Sequence, residues 1–269
     1  MSSTVEYAMN SGVATILLAS PASGNVLNKA NVQDIAGMVR QASSEEACRV
    51  IVIAAEGPDF SRGMDFDMML EDNLDREKLG WSLVQCLRSI CDSSKPVIAR
   101  LEGNVMGGGM GLVAACDIIL AAPEVTFMLP EVVVGMIPAL ITPFLLRRMP
   151  AGKAQYMALS SRSIGAHEAL SFGLVDEVAT GGMEEAMNRQ LRRLFCSSPQ
   201  AIATVKRYIE QLHGPEFDKS MELAVGQLIS WLDQPEAVAG IRAFADGFAP
   251  PWFQSRSKKN ETSKQAGAI

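Results

Sequence analysis

The spacing of apolar residues along this chain changes near Pro138. Before that point, Val13–Leu18 and Val50–Ala55 are short β-branched runs bounded by turn residues. Lys29–Arg40 between them puts Val32, Ile35, Ala36 and Val39 on one helical side, so a strand, helix, strand succession is predicted. Arg76–Cys91 predicts a second helix that ends before Lys95-Pro96, and Val97–Leu101 a buried strand leading into a run of glycines. Gly109–Cys116 then reads as a helix, and Ile118–Ala121 and Val125–Phe127 as strands.

After Pro138 the period is helical over Ala139–Met149, Lys153–Leu159, Ala166–Phe172, Glu184–Phe195, Pro199–Leu212, Glu216–Trp231 and Pro235–Phe244. A strand signal survives only at Leu174–Val178. The expected organisation is an α/β core over residues 1–195, a helical region over 196–250 and a polar, disordered tail over 251–269. No simple repeat is visible in the sequence itself.

Composition narrows the function classes. The chain has 269 residues, 48% of them hydrophobic, enough for one large domain with a sizeable core. A net charge of −6 argues against nucleic acid or an anionic membrane as the main partner, leaving small molecules or proteins. Five cysteines, without Cys-x-x-Cys or Cys/His clustering, point to buried thiols in a reducing cytoplasm and give no metal-ligand set. The Met-Ser-Ser-Thr start lacks a leader pattern, and no apolar run reaches the ~20 residues of a membrane helix, so a cytoplasmic protein is expected.

The candidate chemistry lies between Gly103 and Pro138. Gly107-Gly108-Gly109 falls at a predicted strand-to-helix turn, where amides can approach an anionic oxygen with no Cβ in the way. Glu131 is the lone acidic residue of the apolar stretch Val125–Ile137, and a carboxylate there needs a purpose, for which proton transfer is the best candidate. Phe60-Ser61-Arg62-Gly63-Met64-Asp65 follows the strand Val50–Ala55, and Gly63 would free the Met64 amide to point into a cleft. Met64 and Gly108 amides, if they converge, make a two-donor site for a thioester oxygen that becomes an enolate.

Each of these residues also has a structural reading. Glu131 could cap the turn after Pro130, Asp65 and Asp67 could satisfy local amides, and Arg62 could be a solvated loop residue rather than the partner of a substrate carboxylate. Trp81 could line an acyl pocket or pack an amphipathic helix on the core. His167 and His213 have no acidic or cysteine partner at useful spacing and are expected to be structural. Arg147-Arg148 with Lys153, and Arg189, Arg192 and Arg193 with Lys206 and Arg207, form basic clusters that could guide docking of an acidic carrier protein or lie on solvated helix faces.

Five motifs in order and spacing resemble the crotonase family, also called enoyl-CoA hydratase/isomerase: Phe60–Asp65, Lys95–Ala99, Gly103–Gly109, Cys116–Ile119 and Pro130–Pro138. The resemblance spans about Val5 to Phe248. It implies a spiral of ββα units, a C-terminal helical region used for trimer formation, often a dimer of trimers, and an acyl-thioester substrate on coenzyme A or an acyl carrier protein. It also implies an oxyanion hole from the Met64 and Gly108 amides and no metal or redox cofactor. Typical hydratases of the family carry a first catalytic glutamate where this chain has Gly111; only the second, Glu131, is retained. The sequence around Gly108–Val113, Pro130–Ala139 and Pro143–Arg148 looks like the dehydratases of polyketide β-branching cassettes. That likeness implies dehydration of 3-hydroxy-3-methylglutaryl on an acyl carrier protein, with Glu131 as general acid/base and Arg62, Trp81 and Gly111 as possible pocket residues. The alternatives are an enoyl-CoA isomerase or hydratase acting on a CoA thioester, and a catalytically silent subunit that binds acyl carriers.

Overall fold

A computed structural model describes residues 4–65 and 73–254, with the side chains of 73–75 not described. The buried strand runs form one six-stranded sheet, in which β1 (Val5–Asn10) pairs antiparallel with β2 (Val13–Leu18). β3 (Val50–Ala55), β5 (Val97–Leu101), β7 (Ile118–Ala121) and β10 (Glu177–Val178) then follow in parallel. A second sheet of four short strands, β4 (Asp59–Ser61), β6 (Asn104–Met106), β8 (Thr126–Met128) and β9 (Ile164–Gly165), runs parallel except for its last pair.

Successive chain segments give one strand to each sheet and then a helical element. β3–β4 leads to α2 (Asn73–Asp92), β5–β6 to α3 (Gly108–Ala115), and β7–β8 to a 3₁₀ turn at Glu131–Val134. This is the expected spiral of ββα units, repetitive in structure although not in sequence. Central strands are buried on both faces, and Val50, Ile51, Val52 and Ile53 are all in the core, which is why they read as an uninterrupted apolar run. α1 (Lys29–Ser44) begins at Asn28, whose side chain accepts from the Asn31 N–H at 3.0 Å while Asn31 returns the bond at 2.8 Å.

Two expectations change. A strand after Pro138 was expected only at Leu174–Val178, but Ile164–Gly165 also pairs, antiparallel to β8. The three-residue strands β4 and β6 were also not anticipated; unlike β8, both lie in loops read for their glycines and turn residues rather than for an apolar run.

The remaining helices are α4 (Thr142–Arg148), α5 (Ala151–Ser160), α6 (Ala166–Ser171), α7 (Met183–Phe195), α8 (Pro199–Leu232) and α9 (Pro235–Ala245). α8 is two helices joined at Gly214, whose φ of 62° and the following Pro215 interrupt the hydrogen-bond ladder. Of the expected tail, residues 255–269 lie outside the described residues, while Trp252 packs against Gly135 and Gly240. No helix among the described residues is long and apolar enough to cross a membrane.

Within the four-stranded sheet, β4 and the β6–α3 segment are drawn together by glycine. A Cβ on Gly103 would lie 2.6 Å from the Phe60 nitrogen, and one on Gly109 2.8 Å from Ser61 Cβ, so the β4 and β6–α3 backbones touch only because both lack side chains. Gly37 in α1 has open space around its missing Cβ. Gly109→Ala is expected to lower unfolding stability by roughly 1–3 kcal/mol, as overpacking does, while Gly37→Ala raises it by about 0.5–1 kcal/mol through helix propensity. Denaturant titration of the two variants checks the opposite signs.

Candidate active site

The loop after β4 is held from several sides. Buried Asn25 donates through Nδ2 to the carbonyls of Glu56 at 2.9 Å and Asp59 at 2.8 Å. The Ser61 hydroxyl donates to the Asn25 carbonyl at 2.9 Å and accepts the Gly63 N–H at 3.1 Å. On the other side, Leu27 N–H donates to the Gly63 carbonyl at 2.7 Å, and Asp65 N–H to the Leu27 carbonyl at 3.0 Å. This bridge uses the groups flanking Met64 and leaves the Met64 N–H without a hydrogen bond to the described protein. Gly63 has φ 97°, a conformation that L side chains rarely adopt, and its backbone lies against the triple glycine: a Cβ on Gly63 would be 3.0 Å from the Gly108 nitrogen.

Gly107 precedes α3 with φ 49° and ψ −124°, and its N–H donates to the Met128 carbonyl at 3.1 Å. Gly108 is the first residue of the helix, so its N–H has no intrahelical acceptor. A Cβ on Gly108 would be 3.3 Å from the Met64 nitrogen. The expected pair of amides therefore occupies one place, with a helix start behind one of them.

Glu131 opens the 3₁₀ turn, which closes at Gly135 in the left-handed region, with the Met136 N–H on the Glu131 carbonyl at 2.8 Å. The residue as a whole is half-buried, but the carboxyl oxygen Oε2 is shielded from solvent and has no hydrogen-bond partner among the described residues. Oε1 reaches the backbone at Gly107, 3.3 Å from where a Cβ would stand. Burial pushes the carboxyl from its ordinary 4.5 up to about 7, opposed by the residue's own main-chain N–H. The structure does not make Glu131 a side-chain cap for the turn; the carboxyl faces the glycines.

Met64, Gly108 and Glu131 line one cavity of about 50 Å³, together with Arg62, Leu83, Met136, the Ile137–Ile141 segment and Leu228. Glu131 and Arg62 are the titratable side chains of that lining. Arg62 stands at the mouth, its side chain 60% exposed, with Nε donating to buried Asp59 at 2.7 Å and its stem over Gly24. Its Nη groups donate to no described residue.

Other expected pocket residues lie elsewhere. Trp81 is turned into a separate groove with Arg40, Arg88 and Met221, because its side of α2 faces α1 and α8 rather than the cavity. Gly111 is buried inside α3, behind Ile141 and Leu87: a Cβ there would be 2.5 Å from Ile141 Cγ2 and 3.1 Å from Leu87 Cδ1. Ile141, Met136 and Leu228 were missed by the sequence reading, since nothing marks an apolar residue as cavity wall before the chain is folded. His213 lines another groove beside Phe217. Asp67 lies outside the described residues.

The basic clusters dissolve into internal pairs. Arg147 meets Glu210, Arg148 meets Asp176, Lys206 meets Asp117, and Arg189 meets Glu177 and Glu185. Arg192, Arg193 and Arg207 remain exposed. The Cys48, Cys86, Cys91 and Cys116 thiols are buried and Cys196 is exposed, all of them free. Desolvation raises Cys86 to about 12 and Cys91 to about 11, so these thiols are protonated structural groups. No cluster of three His, Cys, Asp or Glu able to hold a metal ion occurs among the described residues.

Known proteins show the same arrangement of chain. A dehydratase of bacillaene synthase, PksH of Bacillus subtilis, is 27% identical over 255 residues, covering 93% of this chain and 96% of the relative. The 2,3-dehydroadipyl-CoA hydratase of Escherichia coli is 30% identical over 206 residues, 74% of this chain and 78% of that protein. Among solved structures, an enoyl-CoA hydratase from Mycobacterium avium superposes with a TM-score of 0.84 at 31% identity, covering 94% of this chain and all of the other. The model of the enoyl-CoA hydratase/isomerase family matches residues 8–255, and with the spiral fold and the glycine-walled cavity it shows that this chain belongs to that family.

Proposed function

We propose that this chain removes water from a β-hydroxyacyl thioester, with 3-hydroxy-3-methylglutaryl on an acyl carrier protein as substrate and the 3-methylglutaconyl thioester as product. One observation carries the reading: a carboxyl that titrates near neutrality, with an unpartnered oxygen, shares an apolar cavity with two backbone amides suited to an enolate. The likeness to the bacillaene synthase dehydratase supports dehydration as the direction of use.

The thioester carbonyl oxygen accepts from the Met64 and Gly108 N–H groups. As the α-carbon loses its proton to Glu131, negative charge grows on that oxygen. Each preorganised donor of this kind contributes about 3–4 kcal/mol to the barrier when tested by removal. Glu131 then gives the proton to the departing hydroxyl, and no metal or redox cofactor takes part. A carboxyl near 7 suits both tasks, being ionised often enough to accept the proton and acidic enough to return it. Arg62, whose Nη groups donate to no described residue, supplies the cation for the distal carboxylate of a glutaryl chain. The working form in this reading is a cytoplasmic homotrimer or dimer of trimers, for which the exposed stripe Val205, Tyr208, Ile209 and Leu212 on α8 offers apolar surface.

Incubating the protein with carrier-bound 3-hydroxy-3-methylglutarate should give a product lighter by one water in intact-mass analysis. A 3-enoyl thioester whose double bond moves without a mass change would instead mark an isomerase. Turnover of no thioester at all would mark a silent acyl-carrier-binding subunit. Glu131→Gln should reduce dehydration at least about 100-fold, the low end of the contribution of a positioned acid/base. The wild-type kcat/KM should rise with pH through about 7 as the free carboxyl ionises.

The same burial makes a stability prediction. Between pH 4.5 and about 7 the folded chain holds a proton on Glu131 that the unfolded chain has lost, so this group's contribution to stability falls as pH rises through that window. Glu131→Gln lacks the effect. It should match the wild type at low pH and exceed it by on the order of 3 kcal/mol above pH 7 in denaturant unfolding.

A further inference from the structure

The turn that carries Glu131 has little of its own to hold it. Its internal hydrogen bonds are the Val133 N–H on the Pro130 carbonyl at 2.9 Å, the Gly135 N–H on that of Val132 at 3.3 Å and the Met136 N–H on that of Glu131 at 2.8 Å. A shielded carboxyl oxygen with no partner among the described residues costs free energy that the turn would recover by opening to water, so its place has to be imposed from outside. Two glycines show how. A Cβ on Gly135 would lie 2.9 Å from Trp252 Cζ2, and one on Gly240 in α9 would lie 3.1 Å from the same atom. Either Cβ would also collide with the ring tip, Cη2, and the one on Gly240 with the Val134 carbonyl. Glycine is unfavourable inside a helix, and at 240 it is what admits both the ring and the carbonyl. One half-buried indole therefore fills the gap between the turn and α9.

We infer that Trp252 is a positioning residue for Glu131: wedged between Gly135 and Gly240, its ring holds the turn against α9 and so keeps the carboxyl beside the Gly107 backbone and away from water. The inference rests on Glu131 being the acid/base of the proposed dehydration. Trp252 lies outside the cavity lining and acts only through the turn. Trp231 works on the same glycine from α8, donating through Nε1 to the Gly135 carbonyl at 2.7 Å. That hydrogen bond fixes the direction of one carbonyl, whereas the indole of Trp252 occupies the space into which the turn would move. Close-packed interiors transmit such a constraint because they leave no room for partial adjustment.

Burial, opposed by the residue's own main-chain N–H, sets the state of this carboxyl. Arg62, the other titratable side chain of the cavity lining, has its Nε on Asp59. From α2 and α8 the lining presents Leu83 and Leu228, from α3 its first backbone, and from the segment before α4 apolar side chains. Around the turn itself, α5 has Lys153 over the Phe172 ring at 4.4 Å, while Glu236 and Arg242 of α9 and Asp233 at the end of α8 are exposed. Loosening the turn therefore has one electrostatic consequence: water reaches the carboxyl, and its titration returns from about 7 toward 4.5.

The test uses the full chain with Trp252→Ala, Trp252→Leu and, as a control, Phe253→Ala at the exposed neighbouring ring. Without substrate, the titration of Glu131 is read from the pH dependence of denaturant unfolding, as the difference between each protein and its Glu131→Gln counterpart. In Trp252→Ala that titration should fall by at least about one pH unit, and in Trp252→Leu by less. With carrier-bound substrate, the acid limb of kcat/KM should move down with it. The kcat should drop on the order of 100-fold, the cost of about 1 Å of misplacement, while KM stays near the wild-type value. Phe253→Ala should change neither readout. An unchanged Glu131 titration in folded Trp252→Ala would overturn the inference, as would an equal shift in Phe253→Ala. Should Trp252→Ala not fold, Trp252→Leu decides by the same titration, and no shift there overturns the inference. A wild type that eliminates water from no thioester would overturn the dehydration reading, and the unfolding titration would still decide the role of Trp252.

Discussion

Two stretches of backbone, Asp59–Met64 and Gly103–Gly109, touch each other with no side chains between them, and the site depends on that contact. Glycines at 63, 103 and 109 each leave a gap in which a Cβ would stand within about 3 Å of the other strand. Backbone at this range puts the Met64 and Gly108 amides into one wall, with the flanking carbonyls and amides used up by Leu27, Asn25 and Ser61. The donors are fixed before any ligand arrives, which is what makes a dipole effective against developing charge.

A rigid pair of donors would do little without a group that moves a proton beside it. Glu131 is brought there by the tight turn after β8, and that turn is braced from the far end of the chain. Trp231 donates through Nε1 to the Gly135 carbonyl at 2.7 Å, and Trp252 packs over Gly135 and Gly240. The C-terminal helix and the chain after it thus brace the turn that carries the carboxyl. Desolvation, only partly opposed by the residue's own main-chain N–H, is the reason its carboxyl is pushed up to about 7.

Charge elsewhere serves the fold. Some cations of the basic runs pair with carboxylates inside the fold, Arg147 with Glu210 joining α4 to α8 and Lys206 with Asp117 fixing α8 to β7's approach. Phe217 carries the Arg88 and Arg147 guanidiniums on its ring at 5.4 and 4.7 Å, a packing device that also explains why neither cation projects into solvent. A carrier protein seeking positive charge would find Arg192, Arg193 and Arg207 rather than the clusters the sequence displays.

Local order was largely legible in advance. Val97–Leu101 and Ile118–Ala121 occupy the strands their apolar runs predict, and Gly107–Gly109, Gly63 and Glu131 were marked as chemistry because glycine runs and a lone acid in an apolar stretch are anomalies visible one residue at a time. What required the folded chain was everything set by contact between distant segments. Three-residue strands such as β4 and β6 exist only through pairing with distant segments, β4 with β6 and β6 also with β8. Trp81 faces α1 and α8 instead of the cavity. Ile141 forms the wall that Gly111 leaves open. The sequence alone determined which residues could take part, because backbone freedom and side-chain ionisation are properties of single residues; only the tertiary structure decided which of them meet, because distance and desolvation belong to pairs and to enclosed volumes.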